Sequence, residues 1–242
     1  MVSDEEIQKV LKKATELAKK SRDDFNNYVS QHPEVFEEQN RRNQTAHAAR
    51  KNDVRTLEKN ISENRDYLDM LFTGTPLICS AAQAGSLEAC KFLIAAGADI
   101  NQLTNDNNTA LANVKLSLPL VEYLLSVGAD PNNRNVFHVF TAYQDVPEKT
   151  RLEIVKLFVS HGLDVNRAYL MFNDPNSLQT VLDFLGKNFP TIREYLVSLG
   201  AKHASELENP GAYDSANEYL SYEKLKELRQ RMKATSKQGG KS

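Results

Sequence analysis

The sequence predicts an all-α solenoid of stacked helix pairs with helical extensions at both ends, and three observations carry that expectation. The string "KFLIAAGAD" at 91–99 returns as "VEYLLSVGAD" at 121–130, "KLFVSHGLD" at 156–164 and "REYLVSLGA" at 193–201. The copies carry apolar residues at helical spacing: Leu87, Cys90, Phe92, Leu93 and Ile94 make one broad face, and Leu152, Ile154, Val155, Leu157, Phe158 and Val159 make another. Each copy closes on a glycine, at 97, 128, 162 and 200, with spacings of 31, 34 and 38 residues. A glycine just past the last helical turn accepts the left-handed conformation that ends a helix. A unit recurring at this interval buries its apolar face on its neighbours, so the chain is expected to offer a surface before it offers a catalytic pocket.

The other half of the unit is also legible. Residues 74–101, "GTPLICSAAQAGSLEACKFLIAAGADIN", resemble the ankyrin repeat, whose pattern opens with Thr-Pro-Leu and closes with Gly-Ala-Asp-x-Asn. Pro76 suits a helix start, where its missing N–H costs nothing, and Ala81 and Ala82 are small enough for two helices to pack closely. Asp99-Ile100-Asn101, Asp130-Pro131-Asn132 and Asp164-Val165-Asn166 supply turn-forming side chains after each glycine.

The resemblance divides the chain into an N-terminal extension (1–42), an array (43–202) and a C-terminal region (203–242). Within the array, residues 43–73 read as a capping repeat with the Ala48-Ala49 pair, followed by repeats at 74–107, 108–134, 135–176 and 177–202. The units opened by Thr75, Thr109 and Thr180 span 22, 19 and 20 positions to their closing glycines, so helix ends and loops must differ between them. The unit 135–176 lacks Thr-Pro-Leu and carries "AYQDVPEKT", which reads as a lengthened loop between its helices. Its second helix is the better supported.

Residues 3–30 read as one long amphipathic helix, with Ser3 and Glu6 as a capping box and Ile7, Val10, Leu11, Ala14, Leu17, Ala18, Phe25 and Val29 on one side. Pro33 and the polar "EEQNRRNQ" stretch are expected to end it. It either covers the first repeat or binds a partner. At the other end, "ELENPGAYDS" reads as a linker by its Pro-Gly pair. The segment "ANEYLSYEKLKELRQRMKA" reads as a helix with a thin stripe of Leu220, Leu225, Leu228 and Met232, and "TSKQGGKS" as disordered. Seven Lys/Arg face two Glu from 222 onward, so this helix could touch RNA or anionic lipid; a solvated helix capping the last repeat explains the same pattern.

Composition narrows the function further. Net charge is −2, which gives no field to draw in nucleic acid, and no nucleic-acid partner is expected. No apolar run approaches the ~20 residues of a membrane span. The N-terminus has no basic and apolar signal-peptide pattern. Cys79 and Cys90 fit buried thiols in a reducing compartment, and a cytoplasmic, monomeric protein is the expectation. His32, His47, His138, His161 and His203 are dispersed, without metal-ligand spacing, so no cofactor or metal is expected. His161 stands where an imidazole can face the last carbonyls of a helix.

The resemblance implies that finger loops and the inner face of the first helices contact a protein partner. Two fingers are apolar: "DYLDMLFTG", with Tyr67, Met70, Leu71 and Phe72, and "RAYLMFNDPNS", with Tyr169, Leu170, Met171 and Phe172. These are the candidate binding residues; the alternative is that they fold back as satellite core. The favoured function is non-enzymatic protein–protein binding, as an adaptor or an inhibitor. Two rival readings are a bacterial effector delivered to a host cytosol and an enzyme with a site at His138 in the divergent unit 135–176.

Overall fold

The structure is a computed structural model, which describes residues 2–141, 146–214 and 218–238. The first four residues of the expected long loop, 142–145, and the last four of the chain, 239–242, lie outside the described residues.

The N-terminal extension departs from its expected form. Two helices, α1 (Asp4–Ala18) and α2 (Arg22–Ser30), replace the single helix over 3–30. Ser21 adopts an extended backbone and its side chain accepts from Asp24 N at 3.4 Å, while Asp23 and Asp24 favour the positive end of a new helix dipole. Pro33 starts a helix rather than stopping one. It sits in the first turn of α3 (Pro33–Lys51), a 19-residue helix that runs through position 42 into the first repeat. Ile7, Val10 and Val35 gather Val2, Leu11, Tyr28 and Phe36 into a small cluster separate from the main core. The Asp4 carboxylate, 2.7 Å from Arg42 Nη1, ties α1 to α3.

This separation predicts a local event. Charge at Ile7, which is fully buried, should open the α1–α2 hairpin while the array stays folded. In Ile7→Asp, amide exchange over 4–30 should accelerate at least tenfold with the array's melting midpoint nearly unchanged. A single cooperative transition that moves with the variant would show instead that hairpin and array fold as one.

The repeats follow. The second helices of successive units are α4 (Val54–Glu63), α6 (Leu87–Ala95), α7 (Leu118–Ser126), α9 (Glu148–Ser160) and α11 (Pro190–Ser198). The C-terminal part of α3, then α5 (Leu77–Ala84), α8 (Phe137–Thr141) and α10 (Val181–Leu185), serve as first helices. Ala48, Ala49, Ala81 and Ala82 are all buried, which lets α3 and α5 approach closely. Gly97, Gly128, Gly162 and Gly200 have φ between 85° and 102°, and Ala98 N reaches back to Leu93 O at 2.9 Å, closing a Schellman motif.

The unit 108–134 loses its first helix. Residues 110–113 form only a turn, although Ala110 and Leu111 are fully buried. Its opening threonine stands three positions nearer the closing glycine than in the unit before, which removes nearly one turn of chain. Lys115 N instead donates to Ala82 O at 3.0 Å, so the shortened loop is pinned to the end of α5.

A ladder of asparagines fixes the register between units. Asn101 Nδ2 donates to Gly128 O at 3.1 Å and its Oδ1 accepts from Asp130 N at 2.8 Å. Asn132 repeats both bonds with Gly162 O (2.9 Å) and Asp164 N (2.8 Å), and Asn166 with Gly200 O (3.0 Å) and Lys202 N (2.8 Å). Each Asp orients its Asn by accepting from the Asn backbone N–H, as Asp130 does from Asn132 N at 2.8 Å. The strings that read as simple turns therefore also clamp each unit to the next.

The expected all-α class needs correction, because short strands are present. In the first finger β1 (Leu71–Phe72) pairs antiparallel with β2 (Thr75–Pro76) across Thr73-Gly74, both at positive φ as a tight hairpin turn requires. A Cβ on Gly74 would stand 2.5 Å from Asn105 Nδ2, so the second finger also needs glycine there. In the later finger β3 (Tyr169–Leu170) pairs antiparallel with β4 (Leu178–Gln179) and parallel with β5 (Ala212–Tyr213), which pairs with β6 (Tyr219–Leu220). Ala212 and Tyr213 of the expected linker are thus strand, Tyr219 and Leu220 are strand where helix was expected, and the final helix α12 (Tyr222–Gln238) takes in residues 235–238 of the segment read as disordered.

Candidate functional site

The two apolar fingers divide by residue. In the first, Tyr67 is fully buried: its hydroxyl donates to Glu38 Oε1 at 2.9 Å and its ring meets Phe72 edge-on at 5.7 Å. Burial, with the Glu38 carboxylate beside it, pushes the Tyr67 hydroxyl up to about 12. Phe72 is also buried. Tyr67 is therefore core, and the expectation that it meets a partner is corrected; Phe72 packs on its ring and is largely buried, while still lining the hollow beside α3. Met70 is half-buried and Leu71 is 41% exposed, so these two remain on the surface.

In the later finger the division is sharper. Tyr169 and Leu170 are each 2% exposed with the C-terminal segment in place, so neither offers a free surface there, against the expectation of an open finger. The Tyr169 hydroxyl donates to Asn132 O at 2.6 Å and its ring meets Phe137 edge-on at 5.2 Å; burial raises its pKa. Met171 is half-buried. Phe172 stands 90% exposed at a φ of +54°, an unusual backbone state for a bulky residue.

A groove of about 890 Å³ runs between α3 and the first finger. Met70, Leu71, Thr73 and Gly74 line one wall, and Gln39, Asn43, His47 and Arg50 line the other. These α3 residues recur every three or four positions, so they share one polar stripe facing the groove. Gln39 and Asn43 belong to the polar stretch expected to end a helix, so no sequence signal marks the stripe. On the far side of Leu71 a second hollow of about 820 Å³ is lined by Asp4, Glu38, Asp66 and Asp69, with Arg42 shared between the two. Arg42 is held by Glu38 at 3.0 Å and Asp4 at 2.7 Å. Leu71 is thus an apolar ridge between a groove with basic side chains and an acidic hollow.

A family model for ankyrin repeats matches residues 45–135 in three copies. Residues 45–135 are ankyrin repeats. The groove and the first finger lie at the start of this stretch, and the asparagine ladder carries the same inter-unit bonding past it to residue 202. A search of curated proteins found no similar sequence. Ankyrin repeats generally mediate protein–protein interaction.

Other chemistry-bearing residues of the array have structural work. The Cys79 and Cys90 thiols are buried in α5 and α6, and burial pushes both up to about 12, so neither is a ready nucleophile. His161 Nδ1 lies 2.8 Å from Leu157 O, the helix-end carbonyl contact expected for it. His138 packs edge-on to Phe184 at 4.8 Å and borders a small hollow with Asp106, Asn108 and Asn135. Among the described residues no three His, Cys, Asp or Glu side chains are placed to hold a metal ion, and no helix is long and apolar enough to cross a membrane.

Asp183 closes the last unit. It accepts from Thr180 N (2.9 Å) and Ala204 N (2.8 Å), its Oδ2 lies 3.1 Å from Thr180 Oγ1, whose single proton points to the nearer Lys202 O (2.7 Å), and it lies 2.7 Å from His203 Nδ1. Burial works against its charge, but these hydrogen bonds outweigh burial and hold its pKa below the usual carboxylate value. A depressed folded pKa means the contribution is present above the unfolded pKa and is lost as pH falls through the folded one. Wild-type stability should therefore fall more steeply than that of Asp183→Asn as pH drops below the ordinary carboxylate value of about 4, in urea titrations of both proteins. Parallel pH profiles would refute this role.

Proposed function

We propose that the protein is a non-enzymatic binding module, an adaptor or an inhibitor, that takes a segment of a partner protein into the groove between α3 and the first finger. The observation that carries this reading is Leu71, an exposed leucine on the rim of the groove, with Met70 beside it and the polar stripe of α3 opposite. An apolar anchor surrounded by polar groups is the arrangement in which a few residues supply most of the binding energy. Gln39, Asn43, His47 and Arg50 offer directional hydrogen bonds that fix the segment's register. The two buried, unpaired thiols support a reducing compartment such as a cytosol as the place of action.

The test uses paired variants. Leu71→Asp should abolish specific partner capture from a native lysate, and Leu71→Ala should weaken it at least tenfold. A surface control such as Glu153→Lys should leave capture intact. All three should melt within a few degrees of wild type, because Leu71 contributes little to the core. Capture that survives Leu71→Asp would remove the groove as the binding surface.

A further inference from the structure

The later finger differs from the first in one respect: its edge is already taken. The first finger's sheet has two strands among the described residues, whereas the later one is extended to four by the chain's own C-terminal segment. Tyr213 N donates to Ala168 O at 2.9 Å, with Tyr169 opposite Tyr213 in parallel register. The Tyr213 ring lies between Tyr169 (5.9 Å) and Tyr219 (5.2 Å), and the Arg167 guanidinium carbon stands 3.4 Å from its centre. Beyond the strands, Leu225 is fully buried against Ala168, Leu170 and Ala212, and Arg229 Nε donates to Pro175 O at 2.6 Å. The tail therefore sits on the finger by strand pairing, an aromatic plug, an apolar anchor and one cationic hydrogen bond.

Two further observations make this occupant separable from the array. The apolar cluster under Leu225 is distinct from the main core, which the tail meets only at its edge through Tyr213. The chain just before it is fastened independently, by Thr180 Oγ1 donating to Lys202 O at 2.7 Å and by Ala204 N on Asp183. Residues beyond Glu206 can leave without breaking the asparagine ladder or the last helix pair. Small, separately clustered elements held by few bonds are the ones that open below the global unfolding free energy.

We propose that this finger is a strand-acceptor site for an extended segment of a partner protein, and that β5, β6 and α12 of the chain's own tail occupy it in cis as a displaceable stand-in. The stand-in states the chemistry the site takes. It is a small residue followed by an aromatic, in a strand parallel to β3, and then a helix with a leucine and a cation four positions later. Strand addition supplies the backbone bonds, and the Arg167–Tyr169 face supplies selectivity for the aromatic. Occupation in cis lowers apparent affinity by the fraction of molecules open, so release of the tail acts as a gate. This site is separate from the groove beside Leu71, and either can fail without the other.

The test uses the full chain and a fluorescent peptide of residues 207–238 as the probe. In Leu225→Asp the tail should detach, and the peptide should bind at least tenfold tighter than to wild type, with the helical circular dichroism and main melting transition retained. Arg167→Ala added to that variant should weaken the peptide again. A folded Leu225→Asp chain that does not bind the peptide overturns the proposal. Should Leu225→Asp fail to fold, wild-type hydrogen exchange decides. Faster, sub-global exchange over 218–230 than over α5 and α6 supports a displaceable tail, and exchange only by global unfolding overturns it. A wild-type dimer that exchanges tails, seen by light scattering, would assign the site to a second copy of this chain and also overturn it.

Discussion

Replacing Tyr169 by alanine is expected to destabilise the protein by about 3–5 kcal/mol, the largest effect of any finger residue. The side chain is nearly fully buried between Phe137 and the tail's Tyr213, so truncation leaves a large cavity in the wall where the unit 135–176 meets its finger. The hydroxyl adds a second loss, because Asn132 O would forfeit a 2.6 Å hydrogen bond. Tyr169→Phe separates the two contributions: it keeps the ring and should cost only about 1 kcal/mol. Urea unfolding of both variants checks this. A Tyr169→Ala loss under about 1 kcal/mol would mean that the ring is not core and that the finger faces solvent. The same substitution at Phe172, 90% exposed, should leave stability almost unmoved.

The second large effect belongs to the asparagine ladder. The double variant Asn132→Ala/Asn166→Ala removes four inter-unit hydrogen bonds, two from each side chain. At about 1 kcal/mol net per bond this should cost about 4 kcal/mol. It should also lower the cooperativity of unfolding, since a repeat array holds together through its nearest-neighbour interfaces. The expected signature is a broadened urea transition, with the units after position 132 exchanging their amides earlier than α3–α6. Replacement by aspartate should cost nearly as much as alanine, because a carboxylate can accept from Asp164 N or Lys202 N but cannot donate to Gly162 O or Gly200 O. A cost below about 1 kcal/mol for the double alanine variant would show that helix packing alone sets the register.

What could be read from the sequence was local. The helices ending at Gly97, Gly128, Gly162 and Gly200 follow from apolar periodicity and from a backbone state that glycine adopts without strain, and both are properties of neighbouring residues. The apolar character of the two fingers was equally legible, and so was the alternative that they fold inward. Which finger residues would be core was not legible, because their burial depends on distant partners: Tyr67 bonds Glu38, 29 positions away, and Tyr169 bonds Asn132, 37 positions away, and packs on Phe137 and Tyr213. The break at Ser21 and the start at Pro33 had local signals, a capping serine before two aspartates and a proline in a first turn, which the continuous apolar face over 3–30 outweighed.

The sequence by itself determined the repeated unit, its helix ends and the positions of its fingers, since each rests on contacts within a few residues. Tertiary structure alone decided how the units are clamped and what covers the later finger. The ladder asparagines reach about 30 residues ahead, and β3 meets β5 across more than 40. Two-residue strands carry no period that a sequence can display, and Ala212-Tyr213 forms a strand because a folded finger presents an edge for it to pair with. A backbone hydrogen bond across such a gap depends on where folding brings its two ends, and no local preference of either end records that.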